Sequence, residues 1–185
     1  MTNKILIIGG SAGSFRVMMK IMQKLPRDYP HSLIVCLHRL RNARSGFTDT
    51  LAIKSSIRIR EPFDKEKINS STVYLAPANY HLLIEYGYNF SLSTIEARNF
   101  SRPSIDMTME TAAEVFGERA YGIILSGANE DGAAGMKKIK EHGGTLIVHD
   151  PDESEIKVMP ESTIKLVQPD HILKEDKLIE TICSL

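Results

Sequence analysis

What this sequence lacks narrows it first. It has no net charge: Lys+Arg and Asp+Glu each number 23 in 185 residues, so broad electrostatic attraction to nucleic acid is not expected. No apolar stretch approaches the roughly 20 residues that cross a bilayer, which excludes an inserted helix as the expectation. The opening MTNKILIIGG has an apolar run too short for a secretory signal and no cleavage site, so the expected location is cytoplasmic. Cysteine is scarce. Cys36 and Cys183 form no CxxC pair and are expected to be reduced thiols. The six histidines show no H-x-H, H-x-x-x-H or paired Cys–His spacing, so neither a metal nor any other cofactor is expected. No repeat, low-complexity tract or linker divides the chain, and 42% hydrophobic with 25% charged residues is ordinary globular composition. One domain over residues 1–185 is the expectation.

What is present is an alternation of buried strands and amphipathic helices. KILIIG (4–9) and SLIVCL (32–37) are continuous apolar runs, as expected of strands covered on both faces. Between them Phe15, Met18, Met19, Met22 and Leu25 share a helical face that ends before Pro26. A short helix is expected at 46–54, an edge strand at SIRIRE, a strand at TVYLAP (72–77), and a hairpin of HLLIEY and FSLST around Gly87. Ser104 caps a helix with Asp106 in its first turn. YGIILSG (121–127) and TLIVHD are further strands, separated by a helix at 133–142 that stops at Gly143-Gly144. Residues 160–185 read as a short helix, a brief strand and a terminal helix. The pattern predicts an α/β fold: a three-layer α/β/α sandwich around a mostly parallel twisted sheet, with one antiparallel hairpin.

Open α/β sheets place their sites beyond the carboxyl ends of the strands. Three residues suited to acyl transfer fall there: Ser11 after the first strand, His38 after the second, and Asp131 in the loop SGANEDGAAG. A serine hydroxyl needs a base, imidazole has a suitable pKa, and a buried carboxylate would fix the imidazole tautomer. GGSAG fits G-x-S-x-G between a strand and a helix, the setting of a nucleophile elbow; Gly9, Gly10 and Gly13 permit the tight turn, and positive φ where needed. The chain order Ser, His, Asp differs from that of α/β-hydrolases. A right-handed crossover brings the first two strands side by side, whereas the neighbour that would carry Asp131 is not readable.

Blander readings stand beside this one. Ser11 fits equally as a cap or turn residue, and Asn129, Glu130 and Asp131 as surface residues of a turn. HDPDE (149–153) reads as a solvated acidic loop, and Cys36 as core. G-x-G-x-x-G fails in every register through 8–15 and no Walker lysine follows, which weighs against a phosphate loop. Arg39, Arg41 and Arg44 leave open a site for an NADP-type 2′-phosphate.

Taken together, IGGSAGSF, IVCLH, VYLAPANYHLLIE, the long block RPSIDMTMETAAEVFGERAYGIILSGANEDGAAGMKKIKEHGGTLIVHDP and VMPESTI resemble, in order, the catalytic domain of the bacterial chemotaxis receptor methylesterase, protein-glutamate methylesterase. The resemblance implies hydrolysis of γ-glutamyl methyl esters on chemoreceptor cytoplasmic helices with release of methanol, and deamidation of receptor glutamines. It assigns Ser11 as nucleophile, His38 as base and Asp131 as orienting acid, with the Ala128 backbone N–H as an oxyanion donor and that of Ala12 as a second. Ala12 stands where the family has threonine, Leu37 where it has glutamine, and Ala128-Asn129 where it has methionine-glycine. The basic stretch RLRNARSGF replaces a shorter proline-glycine turn and could dock acidic receptor helices. No receiver domain precedes the first strand, so regulation would come in trans from a separate protein, be absent, or lie outside this chain. A non-catalytic receptor-binding module on the same fold is the alternative that the altered loops raise.

Overall fold

A computed structural model describes residues 4–38, 47–53 and 55–185. Its elements follow the order β1 (Ile5–Gly10), α1 (Phe15–Lys24), β2 (Ser32–Leu37), α2 (Phe47–Ala52), β3 (Arg58–Arg60), β4 (Thr72–Leu75), β5 (His81–Glu85), β6 (Asn89–Ser93), α3 (Ile105–Phe116), β7 (Ala120–Ile124), α4 (Ala133–Glu141), β8 (Thr145–His149), α5 (Val158–Leu166), β9 (His171–Leu173) and α6 (Glu175–Ser184). Seven strands pair in parallel in the order β3-β4-β2-β1-β7-β8-β9, and β5 and β6 form a separate antiparallel hairpin.

Strand alternation sorts the core into two faces. Leu6 and Ile8 of β1 point to one side with Val17, Met18, Ile21 and Met22 of α1, Leu51 of α2 and Leu178, Ile179 and Ile182 of α6. Ile5 and Ile7 point to the other, with Ile105 and Met109 of α3, Met136 and Ile139 of α4, Met159 of α5 and the hairpin's Leu82 and Phe90. β1 and β2 are buried at every position. That double burial is why they read as unbroken apolar runs rather than alternating ones.

The sheet order places the site. β1 is central: its register runs Gly10↔Leu37 with β2 on one side and Gly9↔Ile124 with β7 on the other. The chain builds outward from β1 first through β2 and β4, then returns to the other flank with β7. β1 and β7 therefore flank the switch point where the carboxyl-end loops diverge and leave a crevice.

Candidate active site

Ser11 and His38 are the residues one step beyond that Gly10↔Leu37 pair, on neighbouring parallel strands about 4.8 Å apart. The His38 backbone N–H donates to Gly10 O at 3.1 Å, and the Ser11 N–H to Ser126 O at 3.0 Å. Ser11 is thus tied to the end of β7 as well as to β1. Behind it a 3₁₀ turn, Ala12–Ser14, leads into α1, and the Ser14 hydroxyl donates to Ser11 O at 2.5 Å.

The glycines here act through space, not through unusual torsions. Gly9, Gly10 and Gly13 lack positive φ, and so does Ser11, so the turn does not draw on the left-handed torsions that glycine would permit. A Cβ on Gly9 would meet Ile105 Cγ2 at 2.5 Å, one on Gly10 the Ser14 Oγ at 2.5 Å, and one on Gly13 the Ser126 Oγ at 2.6 Å.

Asp131 is fully buried, so the surface-turn reading fails for it, although Glu130 beside it is exposed. Its carboxylate receives the His38 Nε2–H at Oδ2 across 2.7 Å. An ionised carboxylate only accepts, so this bond fixes the proton on Nε2 and leaves Nδ1 as the basic nitrogen. Asn129 Nδ2 stands 3.5 Å from that Nδ1. Four further donors surround Asp131: the Ser104 hydroxyl at 2.9 Å, the N–H groups of Ile105 at 2.7 Å and Asp106 at 3.1 Å, and Asn99 Nδ2 at 3.4 Å. Burial opposes ionisation, but the His38 bond and the two backbone N–H groups outweigh it and hold the carboxyl below its ordinary range.

Asp131 in effect caps the N-terminus of α3, where free N–H groups and the helix dipole favour an anion. α3 returns the contact. Asp106, in its first turn, accepts the N–H of Gly132 at 2.9 Å and of Gly135 at 2.8 Å, at the start of α4. Each helix therefore supplies the acid that caps the other. Gly132 sits at φ +104, and a Cβ on Gly135 would lie 2.6 Å from Met109 Cβ, so both glycines admit the close approach. Burial raises the Asp106 carboxyl and the Asp131 charge adds to that, against the N–H groups of Gly135 and Gly132 and nearby Arg98.

The stretch before α3 forms a tight turn beside the two acids. Ser101 N–H donates to Arg98 O at 2.9 Å, and the two central residues, Asn99 (φ 51) and Phe100 (φ 59), both have positive φ. That is the pattern of a type I′ turn, which favours Asn then Gly; Phe in the second place is unusual. Asn99 points inward, also donating to Asp106 Oδ2 at 3.0 Å, while Phe100 is wholly exposed. Two adjoining clefts of about 510 and 310 Å³ share Asn99, Glu130 and Ser162 in their walls, the smaller also lined by Phe100, Asn129 and Val158.

Of the expected oxyanion donors, Ala12 follows Ser11 directly, and Ala128 lies two residues after Ser126, whose carbonyl accepts the Ser11 N–H. Ala12 opens the 3₁₀ turn. Ala128 is exposed, and among the described residues no hydrogen bond takes its N–H. Its loop is fixed from behind: Gly127 N–H donates to Ile156 O and Met159 N–H to Gly127 O, at 3.1 and 3.0 Å. Among the described residues no cluster of His, Cys, Asp or Glu could hold a metal ion, and no helix is long and apolar enough to cross a membrane. Arg39, Arg41 and Arg44 lie outside the described residues. HDPDE is only partly a solvated loop, since His149 is buried.

Residues 6–182 match the family model for the CheB methylesterase. The chain belongs to the CheB methylesterase family. As a whole it is 42% identical to a Leptospira interrogans protein, over 96% of that protein's length. It is 31% identical to the protein-glutamate methylesterase/protein-glutamine glutaminase of Thermotoga maritima, of which it spans 54%. The crystal structure of the Thermotoga maritima CheB methylesterase catalytic domain superposes with a TM-score of 0.93 at 30% identity, covering 100% of this chain and 99% of that one. Within a CheB methylesterase fold, the features that the motifs did not reveal are Asp106, Asn99, Asn129 and the hydroxyl of Ser104. The S-x-D spacing at 104–106 looked like an ordinary helix cap and gave no hint that both residues face a second acid.

Proposed function

We propose that this chain is a serine hydrolase that removes methyl groups from γ-glutamyl esters of chemoreceptor cytoplasmic helices, releasing methanol, and that it deamidates receptor glutamines at the same site. The reading places the reaction in the cytoplasm. It is carried by the 2.7 Å bond from His38 to a buried, anionic Asp131, beside Ser11 at the switch point of a CheB methylesterase fold.

Ser11 Oγ attacks the ester carbonyl while His38 Nδ1 takes its proton. The tetrahedral oxyanion is met by the N–H groups of Ala12 and Ala128. The carbon–oxygen bond to methanol breaks as His38 returns the proton to the departing oxygen. Water then loses a proton to His38 and attacks the acyl-enzyme; the bond from the acyl carbon to Ser11 Oγ breaks as His38 passes that proton to Oγ, freeing the glutamate and restoring Ser11. With glutamine the leaving group is ammonia. Asp131 keeps the imidazole in the required tautomer and stabilises the imidazolium.

The deciding experiment measures methanol release from a methylated receptor fragment. Ser11→Ala is expected to lower kcat on the order of 10⁶, as when the nucleophile of a comparable triad is removed. A fluorophosphonate probe is expected to label wild type at Ser11. Undiminished release by Ser11→Ala would end this reading, and binding to the fragment without labelling would favour the non-catalytic module.

A further inference from the structure

We propose that Asn99 is a positioning residue of this site, its amide holding the buried Asp131–Asp106 carboxylate pair in the arrangement that directs Asp131 to His38. The inference rests on the triad reading above and extends it to a residue outside the triad. Two carboxylates that are almost wholly buried lie side by side, and like charges so placed repel. Asn99 Nδ2 donates to both, at 3.0 Å to Asp106 Oδ2 and 3.4 Å to Asp131 Oδ1. It bonds each acid through an oxygen other than the one committed to Gly132 and Gly135, or to His38.

The backbone is bent for this task. Asn99 and Phe100 both sit at positive φ, and strain of that kind persists where the surroundings over-determine it. The turn sends one side chain into the acid pair and the next into solvent. Among the described residues, the charged or titratable groups facing Asp131 are His38 just after β2, Asp106 from α3, Arg98 from the turn itself and His81 from β5. Arg98 is bonded through both terminal nitrogens to Glu110, at 2.6 and 2.8 Å, and its ion pair with the acids, at 3.9 Å, reaches Asp106 Oδ2 alone. Within this turn, that leaves the Asn99 amide as the direct link between the two acids.

The test is the pH profile of kcat/KM for methanol release from a methylated receptor fragment. Asn99→Gly keeps the turn and removes the amide. Less neutralised, Asp131 binds the protonated imidazole more strongly, so the acid limb is expected to move to higher pH. At neutral pH kcat/KM is expected to fall about tenfold, the scale of one lost hydrogen bond to a charged group. Asn99→Asp adds a negative charge in the same space and should move the limb further. Phe100→Gly eases the turn, leaves the amide, and should leave the limb in place. A limb that Asn99→Gly leaves unmoved, or that Phe100→Gly moves equally, overturns the inference. Ser11→Ala and His38→Gln in the same assay separate the two levels: if they retain activity the triad reading fails, whatever Asn99 does.

Discussion

Asp131 gathers five described donors on one buried carboxylate. Asp131→Asn would keep its shape, remove its charge and turn an amide N–H toward the Ile105 and Asp106 N–H groups that now donate to it. Loss of kcat by about 10⁴ is expected from the wrong imidazole tautomer, read as methanol release, together with a lower melting temperature from the damaged α3 cap. A variant with near wild-type kcat would show that His38 needs no orienting acid. The three residue types and their strand-end positions were legible in the sequence because strands and chemistry share the same punctuation. The environment of Asp131 was not. Asn99 acts through a turn whose second central residue is Phe, where the pattern for such turns calls for Gly, so nothing in RNFSRP announces two residues at positive φ.

At the scale of elements, α3 and α4 form a unit through their exchanged acids and through Gly135. Here the sequence marked each helix correctly, down to Ser104 as cap and Gly143 as stop, because both signals are local. It could not mark their mutual capping, which depends on a contact between residues 25 or more positions apart. Gly135→Ala tests the closeness of the pair. Its Cβ would sit 2.6 Å from Met109 Cβ and 3.0 Å from the Asp106 backbone, neither of which can swing away as a side-chain tip can. The helices must separate, at a cost of about 1–3 kcal/mol for overpacking, seen as a lower denaturation midpoint. Activity should fall more than the stability loss alone accounts for, because the shift also displaces Asp106 and Asp131. An unchanged midpoint would mean that the pair yields without strain.

For the molecule as a whole, two histidines held low by burial weaken the fold in acid, while the raised Asp106 carboxyl acts in the opposite sense. Burial holds His81 below its ordinary 6.5, assisted by Arg102 and Arg98 and opposed by the Glu96 carbonyl and Asp131. Burial likewise lowers His149, against the pull of Glu175, Glu153 and Asp150. In both cases the unfolded chain binds protons that the folded chain refuses, so stability is full above about pH 6.5 and falls as pH drops through that value. Asp131 and Glu175, held low, lose their contribution only further down, in the carboxylate range. Urea midpoints are therefore expected to decline between pH 7.5 and 5, and to decline less steeply over that interval when His149 is replaced by Gln, with His81 still in place. A wild-type midpoint level across it would contradict the assignment. The order of strands about β1 was the one global feature beyond reach of the sequence, since no local signal says that β7 returns to pair beside β1.

That return has a consequence in time. Ser11 and His38 follow the first two strands made, yet the acid bonded to His38 comes 93 positions later in the chain than His38 itself. A ribosome must synthesise the hairpin, α3 and β7 before Asp131 exists. The growing chain therefore carries the proposed nucleophile and base through most of synthesis without the carboxylate between α3 and α4. On the proposed mechanism, hydrolysis can begin only after the second flank of the sheet has docked, which makes completed folding itself the last step in assembling the catalyst.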